Sequence, residues 1–94
     1  MSAREKRHLS RVAELGCALC NRQGMPGSPA EIHHPRESQG MSQRADHWLA
    51  FGLCPEHHRG KTGIHGLGKS AFEARYRCTE LDLLADTIEK LVGR

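Results

Sequence analysis

The chain has 94 residues, enough for one domain with a modest core, and a core of that size often needs a staple. Its net charge of +3, from 14 Lys and Arg against 11 Asp and Glu, favours a nucleic-acid partner without demanding one. One Trp, one Tyr and two Phe offer little platform for stacking bases. No apolar run is long enough to cross a bilayer, so no membrane role is expected.

The predicted elements run as follows. Ser2 and Glu5 form a capping-box pattern that opens a basic helix carrying Arg4, Lys6, Arg7, His8 and Arg11. Leu9, Val12 and Ala13 form its apolar stripe, and Gly16 ends it. Asn21, Gly24, Pro26, Gly27 and Pro29 make residues 21–29 a loop. Residues 30–34 fit a short strand closed by Pro35, and the polar stretch 36–46 reads as a second loop. Residues 48–53 fit a buried strand that runs into Cys54.

Pro55 suits the first position of a short helix that carries His57 and His58. Gly60, Gly63, Gly66 and Gly68 are expected to stop it, and residues 70–77 can be helical again. Thr79 and Asp82 mark another helix start. Leu81, Leu84, Ala85, Ile88, Leu91 and Val92 are expected on its packed face, with Gly93 closing it. Trp48, Phe51 and Phe72 are expected in the core, and His8 on an exposed helix face.

Seven histidines and four cysteines are the compositional outliers. Nothing at the N-terminus resembles a signal peptide, so the cysteines are expected to stay reduced and to bind metal rather than to bridge. Cys17 and Cys20 form one Cys-x-x-Cys step, and Cys54 and His57 a Cys-x-x-His step. Two such pairs complete the tetrahedron of a structural zinc site. Adjacent helix residues diverge by about 100°. One of His57 and His58 can therefore close this knuckle while the other faces elsewhere; the spacing from Cys54 favours His57, and the reverse assignment stays open. Cys78 has no partner at ligand spacing and reads as a plain thiol.

The remaining histidines exceed what one ion can use. His33 and His34 are neighbours on a strand, so they point to opposite faces. One imidazole can ligate a metal together with His58 on the facing helix, while the other acts as general base near neutral pH.

The string Glu31-Ile32-His33-His34, followed by Leu53-Cys54-Pro55-Glu56-His57-His58-Arg59-Gly60, resembles the HNH endonucleases of the ββα-metal class. With His47-Trp48, Gly63-Ile64-His65-Gly66 and Phe72-Glu73-Ala74-Arg75-Tyr76, it is similar to the phage recombination-enhancement, RecA-dependent nuclease family. The resemblance runs from Cys17 to the C-terminal helix. It implies an α+β fold: a single domain over 1–94, with a small zinc-stabilised, treble-clef-like ββα-metal core between N- and C-terminal helices. It implies that His34 is the general base and that His33 and His58 hold the catalytic ion. His65 would be a third ligand or a phosphate contact. Arg59, Lys61 and Lys69 would grip flanking phosphates. The asparagine of the HNH pattern has no counterpart before Cys54, where Asp46 and His47 are the nearest polar residues.

The implied activity is metal-dependent hydrolysis of DNA phosphodiesters in phage or prophage recombination. It would use a structural Zn²⁺ and a catalytic Mg²⁺, Mn²⁺, Ni²⁺ or Zn²⁺. Expected partners are single- or double-stranded DNA and a RecA-type recombinase filament. A homodimer would allow both strands of a duplex to be cut. The expected compartment is the cytoplasm, that of the host cell if the chain is phage-encoded. The alternative is a zinc-stabilised nucleic-acid-binding or interaction module that does not cut.

Overall fold

The computed structural model describes residues 1–35 and 46–93. In chain order it has α1 (Ala3–Glu14), α2 (Ala18–Arg22), β1 (Glu31–His33), β2 (Phe51–Leu53), α3 (Pro55–Arg59), α4 (Ile64–Leu67), α5 (Lys69–Tyr76) and α6 (Glu80–Leu91). This is a small α+β fold in which helices surround a two-stranded sheet. No helix among the described residues is long and apolar enough to cross a membrane. The loop expected over 36–46 lies outside the described residues apart from Asp46.

The capping box at Ser2 opens α1 as its sequence requires: Ser2 Oγ accepts from Glu5 N, and Glu5 Oε1 accepts from Ser2 N. Gly16 follows α1 with φ +79, in the left-handed region that glycine tolerates best. A Cβ there would also meet the Ser28 carbonyl at 2.8 Å. This turn places Cys17 at the start of α2, a helix that the loop-rich stretch after Cys20 does not announce.

β1 and β2 pair antiparallel, with Glu31 opposite Leu53, Ile32 opposite Gly52 and His33 opposite Phe51. β2 begins at Phe51, so the strand expected from Trp48 is shorter than its apolar run. Asp46 accounts for this: its Oδ1 accepts from Trp48 N and its carbonyl from Leu49 N, folding residues 46–49 into a turn. Trp48 is 44% exposed rather than in the core, and its ring packs on His8 at 4.8 Å between centroids. His8 is correspondingly half-buried, not the exposed residue that its charged neighbours suggest. Phe51 and Phe72 are fully buried as expected.

The core comprises the Cys17–Cys20 segment, Phe51, Leu53, Ile64, Phe72, Cys78, Leu83 and Leu84. Here α6 departs from its expected face. Glu80, Leu83, Leu84 and Thr87 are buried, at helical spacings of three and four. Leu81, Ile88 and Val92, expected inside, are exposed. The helix is rotated so that an acidic residue, Glu80, joins its packed face, which hydropathy alone would not select.

Candidate metal centres and active site

Two clusters of metal-ligating side chains form among the described residues. The first joins Cys17, Cys20, Cys54 and His57. His57 Nδ1 lies 3.6 Å from Cys17 Sγ, 3.6 Å from Cys20 Sγ and 3.4 Å from Cys54 Sγ, and Cys20 Sγ is 3.9 Å from Cys54 Sγ. A tetrahedron with metal–sulfur bonds of about 2.3 Å has edges of about 3.8 Å. The spacing and the soft donor set therefore fit an ion such as zinc.

Local structure aims these four groups. Cys17 is the N-cap of α2, and its Sγ accepts from Cys20 N, which draws the first pair into one turn. Cys54 is the N-cap of α3, which Pro55 begins, so His57 falls on the same side one turn later. Tyr76 supports His57 with an edge-on ring contact at 5.2 Å, while its hydroxyl donates to the Thr62 carbonyl. Burial pushes the Cys17 thiol up to about 12. In that dry setting a bound cation is what would stabilise thiolates. Cys78 stands apart in the core, and burial raises its thiol too.

The second cluster joins His33, His58 and His65. His33 comes from β1, His58 from α3 and His65 from α4, a short helix where the glycine run predicted none. Glycine is what lets α4 approach: a Cβ on Gly66 would collide with the Gly60 carbonyl. The approach sets His65 Nε2 3.1 Å from His58 Nε2. Two imidazole nitrogens with metal–nitrogen bonds of about 2.0–2.1 Å at tetrahedral angles would be about 3.3 Å apart.

Carboxylates hold the far sides of two of these rings. Glu31 Oε1 is 2.8 Å from His58 Nδ1, and Glu80 Oε2 is 2.6 Å from His33 Nε2. A carboxylate only accepts, so the facing ring nitrogens donate. His58 is then left with a lone pair on Nε2, turned toward His65. These donors fit a divalent ion.

His34 lies outside this triad. Its Nε2 is 3.1 Å from His47 Nδ1. Burial, followed by the neighbouring His47 and His33, lowers its pKa below the usual 6.5, against a smaller opposing effect of Asp46. That shift favours the neutral ring, the form that can accept a proton. Of the two candidates for the middle HNH position, His47 faces His34 and Asp46 forms the turn at Trp48.

The expected phosphate contacts divide. Lys61 is exposed, whereas Arg59 Nε donates to both Glu31 oxygens at 3.1 and 3.0 Å. Lys69 lines a cavity of about 310 Å³ with His33, Ile64, His65, Gly68 and Glu80. The sequence reading missed Glu80 and gave Glu31 no role. An acidic residue in a first helical turn reads as a complement to the helix dipole, and nothing local links residue 80 to residue 33.

One family model, recombination enhancement, RecA-dependent nuclease, matches residues 1–92, a span that holds both clusters. The chain belongs to the recombination enhancement, RecA-dependent nuclease family. No curated protein matches it. Membership makes the chain a nuclease tied to recombination and to RecA, with nucleic acid as its substrate. Within this family assignment, the histidines around β1 and α3 are the natural place to look for the chemistry.

Proposed function

We propose that the chain is a metal-dependent DNA endonuclease of the HNH, ββα-metal type. The observation that carries this reading is the convergence of His33, His58 and His65 from β1, α3 and α4, with His34 following directly after β1. His33, His58 and His65 would hold the catalytic ion, and Cys17, Cys20, Cys54 and His57 a structural zinc.

When bound, the catalytic ion supplies positive charge for the scissile phosphate and for the oxygen that leaves. The protein's own groups do the rest. In the tautomer whose Nε2–H donates to His47 Nδ1, His34 would keep the lone pair on Nδ1 to take the proton from the attacking water. As the new phosphorus–oxygen bond forms, the opposite ester bond breaks. Lys61 and Lys69 hold flanking phosphates, a sequence-blind contact that weakens with salt. Arg59, held by Glu31, reaches the backbone from the same helix. RecA dependence points to DNA as the nucleic acid, and a second copy of the chain would let one assembly cut both strands.

The test is nicking of supercoiled plasmid and of single-stranded circles, with and without a RecA filament, in Mg²⁺, Mn²⁺, Ni²⁺ or Zn²⁺. The parent should cut and His34→Ala should not, with fold and zinc content unchanged. Equal cutting by both proteins would remove His34 as base. No cutting under any condition, with zinc fully bound, would favour a zinc-stabilised binding module instead.

A further inference from the structure

Glu80 is 1% exposed, so its carboxylate sits where an uncompensated charge is costly. It opens α6, whose rotation carries it inward, and its backbone N–H donates to Glu73 Oε2 at 2.8 Å. Oε2 accepts from His33 Nε2 at 2.6 Å, a short hydrogen bond. Oε1 is equally enclosed and finds no partner among the described residues. Both residues line the 310 Å³ cavity shared with His65 and Lys69.

We propose that Glu80 is the positioning residue for His33: it holds the ring with Nε2 protonated and leaves Nδ1 as the nitrogen that meets the ion. The inference rests on His33, His58 and His65 being an ion site. The chemistry follows from the count of lone pairs. A neutral imidazole has one, and the bond to a carboxylate commits Nε2 as donor. His33 then binds through the nitrogen opposite in type to that of His58, whose Nδ1 is committed to Glu31. The arrangement would also help to balance the buried charge. A neutral His33 gives Glu80 no formal counter-charge; an ion held by His33, His58 and His65 would supply one, in addition to that of Lys69 in the same cavity. Carboxylate–histidine–metal lines of this kind raise ligand basicity and fix the ring.

The test titrates Co²⁺ into the 94-residue chain with zinc already bound at the knuckle, comparing the parent with Glu80→Gln. Glutamine keeps the shape and removes the charge. Affinity should fall roughly 10- to 100-fold while zinc content and circular dichroism hold. Unchanged affinity would overturn the role of Glu80 and leave the ion site standing. If the parent takes up no second ion, the site itself falls, and Glu80's role with it. A second measurement needs no variant: long-range proton–nitrogen NMR of the parent with Cd²⁺. His33 should show Nδ1 ligated and Nε2 protonated, and ligation through Nε2 would overturn the inference even if Glu80→Gln failed to fold.

Discussion

Glu31 Oε1 lies 2.8 Å from His58 Nδ1, so one carboxylate on β1 sets the orientation of an imidazole on α3. The same side chain accepts from Arg59 Nε. These bonds hold the Glu31 carboxyl below the usual carboxylate range, His58 contributing most and Arg59 next.

Replacing Glu31 by Gln should therefore weaken ion binding at His58 by roughly 10- to 100-fold. The zinc content of the knuckle should not change, because the Glu31 side chain bonds to His58 and Arg59, neither of which belongs to the Cys17, Cys20, Cys54 and His57 cluster. Cobalt titration and zinc analysis on the same sample check both halves. Equal cobalt affinity in the variant would reduce Glu31 to a partner of Arg59.

Cys20 sits between two sulfurs and an imidazole, and the knuckle it helps form ties α2 to β2 and α3. Removing one thiolate should cost zinc and fold together. Structural zinc sites contribute apparent binding energies of about 10–16 kcal/mol at neutral pH, more than the net stability of most small domains. Cys20→Ala is expected to be metal-free and without a cooperative thermal transition. A folded, zinc-loaded variant would contradict the assignment. Cys78→Ala is the matched control: it should keep its zinc and lose only core packing, because Cys78 belongs to neither cluster.

Much of the site was legible because its spacing is local. Cys17 with Cys20, and Cys54 with His57, are each one turn apart; Pro55 announces the helix start that sets the second pair, whereas α2, which sets the first, was not announced. His33 and His34 diverge as expected, one toward the triad and the other toward His47, although β1 is Glu31–His33, shorter than the strand expected over 30–34, and His34 lies just past its end. What escaped depends on long-range packing. The α6 face was read from hydropathy, which favours Leu81 and Ile88 and cannot anticipate that a buried histidine will draw Glu80 inward. Likewise α4 was hidden by its glycines. They read as helix stops, yet their missing side chains let the backbone fold back onto α3. Trp48 looked like core because the turn at Asp46 could not be seen in an apolar run.

The lowered pKa of His34 has a direct kinetic consequence. A base must be neutral, so activity should be present above its pKa and lost as pH falls through it. Because burial and then His47 push that value below 6.5, the acidic limb of the pH–rate profile should have its midpoint below pH 6.5. His47→Ala removes one of the neighbours that lower the value and should move the limb upward, toward 6.5. A midpoint above 6.5 in the parent would show that another group carries the proton.

Thr79 begins α6 with a reciprocal cap: its Oγ1 accepts from Asp82 N at 3.0 Å, and Asp82 Oδ2 accepts from Thr79 N at 2.9 Å. Losing such a cap costs about 1 kcal/mol. In a domain of this size that corresponds to a fall in Tm of about 4–8 °C. Thr79→Ala should show this loss in thermal melts. Well below Tm it should still bind cobalt normally, because Leu83, Leu84 and Thr87 keep α6 seated and Glu80 in reach of His33. An unchanged Tm would mean that packing alone, not the cap, fixes where α6 begins. Normal stability with weakened cobalt binding would instead make the cap a device for aiming Glu80.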